Sequence, residues 1–195
     1  MHERQTPGLI DPPNDLEARK MLDAITCGDR SALTNLYKGY YGCLAHFISL
    51  FIGSDNRVGD VINDTFMTIW ERARGFRSES KVSVWIFCIA HRHASRFVRC
   101  HTPRGLAHRD REFEGQPREP GTETKTQRPL LWPLQRLPAE QRVVLALCYR
   151  MRYSVQEIAL ITDSRVETVE LRMFEARGQL RRKPAVGSSG VSLTP

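Results

Sequence analysis

Apolar positions along this chain return every three or four residues, as on one face of an α-helix, and no stretch alternates with the period of two that a half-buried strand requires. Leu16 to Cys27 is expected as a short amphipathic helix that ends near Gly28. Ser31 to Ile52 reads as a longer one, with Leu33, Leu36, Tyr37, Tyr40, Leu44, Phe47 and Phe51 on its apolar stripe and Gly53 as its C-cap. A third opens at Ser54 or Asp55, buries Val58, Val61, Ile62, Phe66, Ile69 and Trp70, and stops at Gly75. A fourth opens at Ser80 or Ser83 and turns Trp85, Ile86, Ile89, Ala90 and Phe97 inward.

The pattern then breaks. Thr102 to Pro129 holds four prolines, three glycines and almost no large apolar residue, which predicts a flexible linker. Beyond it a helix starts at Leu137-Pro138 and runs through Val143, Val144, Leu147 and Cys148. Ser154-Val155-Gln156-Glu157 and Ser164-Arg165-Val166-Glu167 both match the capping box, in which a serine and a glutamate three residues on satisfy each other's backbone N–H. Each precedes an apolar-periodic run, with a break at Thr162-Asp163, so a helix-turn-helix is expected. The fold class is therefore all-α: two small helical domains, residues 1–101 and 130–183, joined by a flexible linker at 102–129 and followed by a disordered tail at 184–195.

Composition narrows the class. At 195 residues, 41% hydrophobic and 26% charged, the chain has an ordinary globular make-up. Its longest apolar stretch, Cys43 to Ile52, is interrupted by His46 and Ser49 and falls short of the roughly 20 residues a membrane span needs. Met1 to Asn14 has no apolar core, so no secretory leader is expected. Five cysteines with no CxxC pair suit a reduced, cytoplasmic setting.

Charge changes the picture more. Of a net +7, residues 72–104 alone supply eight cations against the single acid Glu79, while residues 1–71 hold 6 basic and 10 acidic residues. Such a concentration is the footprint of a polyanion-binding surface. Arg92, Arg96 and Arg99 recur at i, i+4 and i+7, which lines three guanidiniums along one helix face, and Arg77 and Lys81 extend the row into the segment ahead. Phe76, Trp85 and Phe87 lie among these cations, and aromatics beside cations are what single-stranded bases require. Trp85 suits core packing equally well. In the helix-turn-helix, the second helix offers Ser164, Arg165, Thr168, Glu170, Leu171, Arg172, Phe174, Glu175 and Arg177 toward a major groove.

Catalytic motifs are absent: the chain has no GxxxxGK loop, no HExxH helix and no GxSxG elbow. Cys88 and His91 share a helix face but make a metal site only if His46 or Cys43 joins them. Asp60 and Asp64 read better as an acidic face toward a partner than as a catalytic pair.

The run DVINDTFMTIWERARGF (Asp60–Phe76), followed by KVSVWIFCIAHRHASRFVR (Lys81–Arg99), resembles the second conserved region of bacterial sigma factors. LPAEQRVVLALCYRMRYSVQEIALITDSRVETVELRMFEARGQLRR (Leu137–Arg182) resembles their fourth. With only these two regions, the chain is similar to an extracytoplasmic-function (ECF) sigma factor. The resemblance implies a dissociable specificity subunit of core RNA polymerase, not an enzyme in its own right, with no cofactor and with an anti-sigma factor as a regulatory partner. It places polymerase binding on Asp60, Asn63, Asp64, Phe66 and Trp70. Melting and capture of the −10 promoter DNA fall to Arg77, Ser80, Lys81, Trp85, Arg92, Arg96 and Arg99. Reading of the −35 duplex falls to Ser164, Arg165, Thr168, Glu170, Leu171, Arg172, Phe174 and Arg177.

The chain departs from the family pattern in three places: His91-Arg92 stands where Arg-Asn is usual, Asn63-Asp64 replaces Gln-Glu, and Glu170 and Glu175 occupy commonly basic positions. A conventional helix-turn-helix regulator of duplex operators is the alternative; it would not need the basic-aromatic segment.

Overall fold

A computed structural model describes residues 12–53, 56–77, 79–101 and 137–181, and all the secondary structure among them is helical. The expected linker, the tail, the residues before 12 and the Ser54-Asp55 opening of the third helix lie outside the described residues.

Helix α1 (Asp15–Thr26) is capped by Asn14, whose side chain accepts the Leu16 N–H, and is closed where Gly28 takes a φ of +89°. Helix α2 (Arg30–Ile52) starts at Asp29, whose carboxylate accepts the N–H groups of Ser31 and Ala32 at 2.8 and 3.2 Å. Those bonds and the Ser31 hydroxyl hold the Asp29 carboxyl below its ordinary range. Gly53, at φ +74°, ends α2 as expected. Helix α3 (Val58–Arg72) runs into a 3-10 turn at Ala73–Gly75. Helix α4 (Val82–His101) follows, its first N–H accepted by Asp15 of α1 at 2.7 Å.

In the C-terminal part, α5 (Ala139–Leu145) continues into a π-helical turn, Ala146–Arg150, in which the Met151 N–H reaches back to the Ala146 carbonyl. Helix α6 (Val155–Ile161) has the expected capping box in full, with Ser154 and Glu157 bonded reciprocally at 2.8 and 3.2 Å. The second box does not form. The Ser164 hydroxyl donates to the Thr162 carbonyl and accepts from Arg172, and α7 (Val166–Arg181) begins two residues after Ser164. Between α6 and α7, Asp163 takes the left-handed conformation (φ +50°), one of the few side chains that tolerates it.

The core is continuous from one part to the other. In the N-terminal bundle Tyr40, Phe47, Ile62, Ile69 and Ile86 are wholly buried, and Phe47 meets Phe87 edge-on at 4.9 Å. Phe87 in turn meets Tyr153 at 5.7 Å, and through it joins Val143, Leu147, Ile158 and Val169. Two polar clasps reinforce this junction: Arg142 of α5 donates to the Leu50 carbonyl in the last turn of α2 at 3.0 Å, and the Cys88 thiol of α4 donates to the Leu160 carbonyl of α6 at 3.4 Å. A cation at a helix C-terminus is favourably placed against the helix dipole.

The junction also carries a cost. Among the described residues the buried hydroxyls of Tyr40 and Tyr153 meet no hydrogen-bond partner in good geometry, although the Ser83 hydroxyl lies beside that of Tyr153. An unsatisfied buried hydroxyl costs about 1–3 kcal/mol, so this packing is weaker than its apolar content alone implies.

Candidate nucleic-acid interface

The 3.6-residue period of α4 separates its two jobs. Val84, Phe87 and Ala90 face the core, while Arg92, Arg96 and Arg99 are exposed along one face. Arg77 and Lys81 are also exposed, so the structure brings the whole expected cationic row to the surface. Trp85 and Phe76 are half-buried against each other, ring centroids 5.3 Å apart, and both line the core while keeping part of their surface open.

Lys81 is engaged. Its ammonium lies 2.9 Å from the carboxylate of Glu157, the capping-box glutamate of α6. Nearby, His91 is packed edge-on against Phe51 at 5.3 Å. Burial pushes the His91 pKa down to about 4; the charge of Asp163 opposes the shift, while Arg172, Arg92 and Arg99 add to it. Burial likewise lowers His46, helped by Arg150. No group of three His, Cys, Asp or Glu side chains converges as a metal site among the described residues, and Cys88 and His91 are taken up by the contacts just given.

On α7 the expected readers divide. Arg165, Glu170, Leu171, Phe174 and Arg177 are exposed, Phe174 at 75%. Ser164, Thr168 and Arg172 are half-buried. Arg172 is ion-paired with Glu140 of α5 and donates to the Ser164 hydroxyl at 3.1 Å, so it braces the motif from within. Arg177 lies 5.6 Å over the ring of Tyr149, which the π turn leaves exposed.

The acidic face expected to meet a partner is on α3. Asp60, Asn63 and Asp64 are exposed with Met67 beside them, and the Tyr37 hydroxyl donates to Asn63 at 3.3 Å. Phe66 is buried against Tyr37 at 4.8 Å, so it shapes this face from beneath; Trp70 is half-buried. A groove of about 460 Å³ separates α3 from α4, acids Asp64 and Glu71 on one wall and Arg96 on the other. Two residues that sequence reasoning passed over, Asp15 and Arg19, sit behind the start of α4; as an i, i+4 pair they look like any surface ion pair.

The family profile described as Sigma-70 region 2 matches residues 36–104, and that described as Sigma-70, region 4 matches 134–180, together more than half of the chain. The ECF RNA polymerase sigma-E factor of Haemophilus influenzae is 23% identical over 181 residues, covering 86% of this chain and 95% of that protein. The sigma-E factor of Escherichia coli K12 is 24% identical over 176 residues, covering 84% and 92%. In fold, the chain is similar to CnrH in complex with the cytosolic domain of CnrY (TM-score 0.60, 21% identity, 84% of this chain and 94% of that one). It is also similar to RpoE bound to the anti-sigma factor NepR from Bartonella quintana (TM-score 0.56, 19% identity, 75% and 92%). No helix among the described residues is long and apolar enough to cross a membrane. A second sigma region ahead of the helix-turn-helix disfavours a conventional operator-binding regulator, and the chain belongs to the ECF class of the sigma-70 family.

Proposed function

We propose that this chain joins core RNA polymerase as its promoter-specificity subunit, through the exposed α3 face of Asp60, Asn63 and Asp64, with Phe66 and Trp70 shaping it. The exposed row Arg77, Lys81, Arg92, Arg96 and Arg99 then holds the melted −10 strand by its phosphates, and Ser80 and Trp85 border the captured bases. The exposed residues of α7 read the −35 duplex, with Leu171 and Phe174 suited to thymine methyls and Glu170 to a cytosine amine. The chain itself catalyses nothing; polymerisation is the core enzyme's. The observation that carries this reading is the cationic row on α4 in the same chain as an exposed helix-turn-helix.

The two promoter elements lie roughly 50 Å or more apart along B-DNA at 3.4 Å per base pair. Helix α4 touching α6 cannot serve both, so the packed arrangement is the resting form and the two parts separate on promoter binding. The 35 residues between His101 and Leu137 reach about 120 Å if extended, ample for that separation. An anti-sigma factor, as NepR is in the complex of the similar RpoE structure, is the partner that would hold the resting form.

The test is transcription by core polymerase from a promoter library, with and without the chain. Selective initiation that depends on the chain, and that Asp64→Arg abolishes by preventing holoenzyme assembly while the free protein still melts normally, supports the reading. Initiation indifferent to the chain refutes it.

A further inference from the structure

We propose that Asp15 and Arg19 of α1 are positioning residues for −10 capture, holding Phe76, Ser80 and the first turn of α4 in the arrangement that discriminates bases. This rests on the sigma-factor reading above.

The start of α4 presents backbone N–H groups that need acceptors from outside the helix. Asp15 supplies one from another element, 67 residues earlier in the chain: its Oδ1 accepts the Val82 N–H at 2.7 Å. Its Oδ2 takes Nε of Arg19 at 3.0 Å. The same guanidinium donates through Nη2 to the Ser80 carbonyl at 3.2 Å and lies 5.9 Å from the centre of the Phe76 ring. Phe76 packs on Trp85. One carboxylate and one guanidinium thus hold Phe76, Ser80, Val82 and, through Phe76, Trp85, on either side of the exposed Arg77 and Lys81.

Beside this bridge lies a recess of about 240 Å³ walled by Arg19, Asp23, Thr26, Arg74 and Phe76, and Arg74 is itself tied to the Thr26 carbonyl at 3.4 Å. Helix α1 is thus one wall of the strand-capture region. Phosphate contacts from Arg92, Arg96 and Arg99 carry no sequence information. Base choice depends on the geometry of the aromatic and loop groups, and it is this geometry that Asp15 and Arg19 hold.

The experiment uses the full chain assembled with core polymerase. One probe is a randomised single-stranded DNA pool; the other is a randomised duplex pool that reports α7. With Asp15→Ala, loss of a capping acceptor predicts a roughly three- to tenfold fall in base discrimination on the single-stranded pool. Total single-strand affinity keeps its salt slope, and duplex preference and polymerase affinity hold. Asp15→Asn, whose Oδ1 still accepts the Val82 N–H, restores most of the discrimination, and Arg19→Ala reproduces part of the loss. The inference is overturned if discrimination is unchanged in Asp15→Ala, if Asn rescues no better than Ala, or if duplex preference and polymerase affinity fall in step with it. Failure of the unaltered chain to join core polymerase overturns the function itself, a separate and recognisable outcome.

Discussion

Lys81, just ahead of α4, and Glu157 of the helix-turn-helix meet at 2.9 Å, so a cation proposed to hold the −10 strand is neutralised by the module proposed to read the −35 element. Glu157 also closes the α6 capping box, and its carboxyl is held below the ordinary range by Lys81 and Ser154 despite partial burial. Glu157→Gln keeps an acceptor for the Ser154 N–H and removes only the charge. An ion pair this exposed is worth at most about 1 kcal/mol. The variant should therefore shift the balance toward the separated form by up to about fivefold, seen as a longer distance between fluorophores placed on α4 and α7. An unchanged distance distribution would mean that the pair does not hold the junction.

His91 makes the junction pH-dependent. Its pKa is near 4 when packed and about 6.5 in an unfolded chain. A lowered histidine binds fewer protons folded than unfolded, so its stabilising contribution is full above pH 6.5 and is lost as pH falls toward 4. The loss approaches about 3 kcal/mol as an upper figure. His46 and His93 shift in the same direction through burial. Urea unfolding of the free chain should show stability falling between pH 6.5 and 4, and His91→Gln should flatten that slope. A slope identical in both proteins assigns the effect elsewhere.

Tyr153 provides the opposite lever. Among the described residues its buried hydroxyl meets no partner in good geometry, with only the Ser83 hydroxyl beside it, and burial raises its pKa so that the phenol stays neutral. Removing a buried unsatisfied hydroxyl without changing shape is neutral to stabilising, by up to about 1–2 kcal/mol. Tyr153→Phe should raise the melting temperature and lower promoter binding by holding the two parts together. A fall in melting temperature would show that Ser83 does satisfy the hydroxyl.

Arg172 behaves as a brace rather than a free reader. It joins Glu140 of α5 to Ser164 at the turn, with most of its side chain covered. Arg172→Ala and Glu140→Ala should each destabilise the helix-turn-helix by about 1 kcal/mol, and the double variant should cost less than their sum. A strictly additive pair, with −35 affinity lost only in Arg172→Ala, would return Arg172 to the DNA-reading set.

Local signals explain what could be read in advance. Gly28 and Gly53 end their helices because the left-handed backbone there favours glycine, and Ser154–Glu157 caps α6 because both partners lie within one turn. The same reasoning misplaced Ser164–Glu167: the Ser164 hydroxyl accepts from Arg172, eight residues along and two turns into α7, and donates to the Thr162 carbonyl instead of capping the helix. The π turn at Ala146–Arg150 leaves no mark in an apolar period, since a single inserted residue merely shifts its phase.

From the order of its residues alone, this protein reads as all-helical, with its net positive charge concentrated in residues 72–104 and a helix-turn-helix near its C-terminus, because periodicity, caps and charge rows act over a few residues. That α1 caps α4, that Phe66 supports the α3 face from beneath, that Arg172 is already occupied and that Lys81 is answered by Glu157 were decided only by folding. Those contacts join residues on different helices, most of them far apart in sequence, and which distant groups meet is set by how helix faces pack.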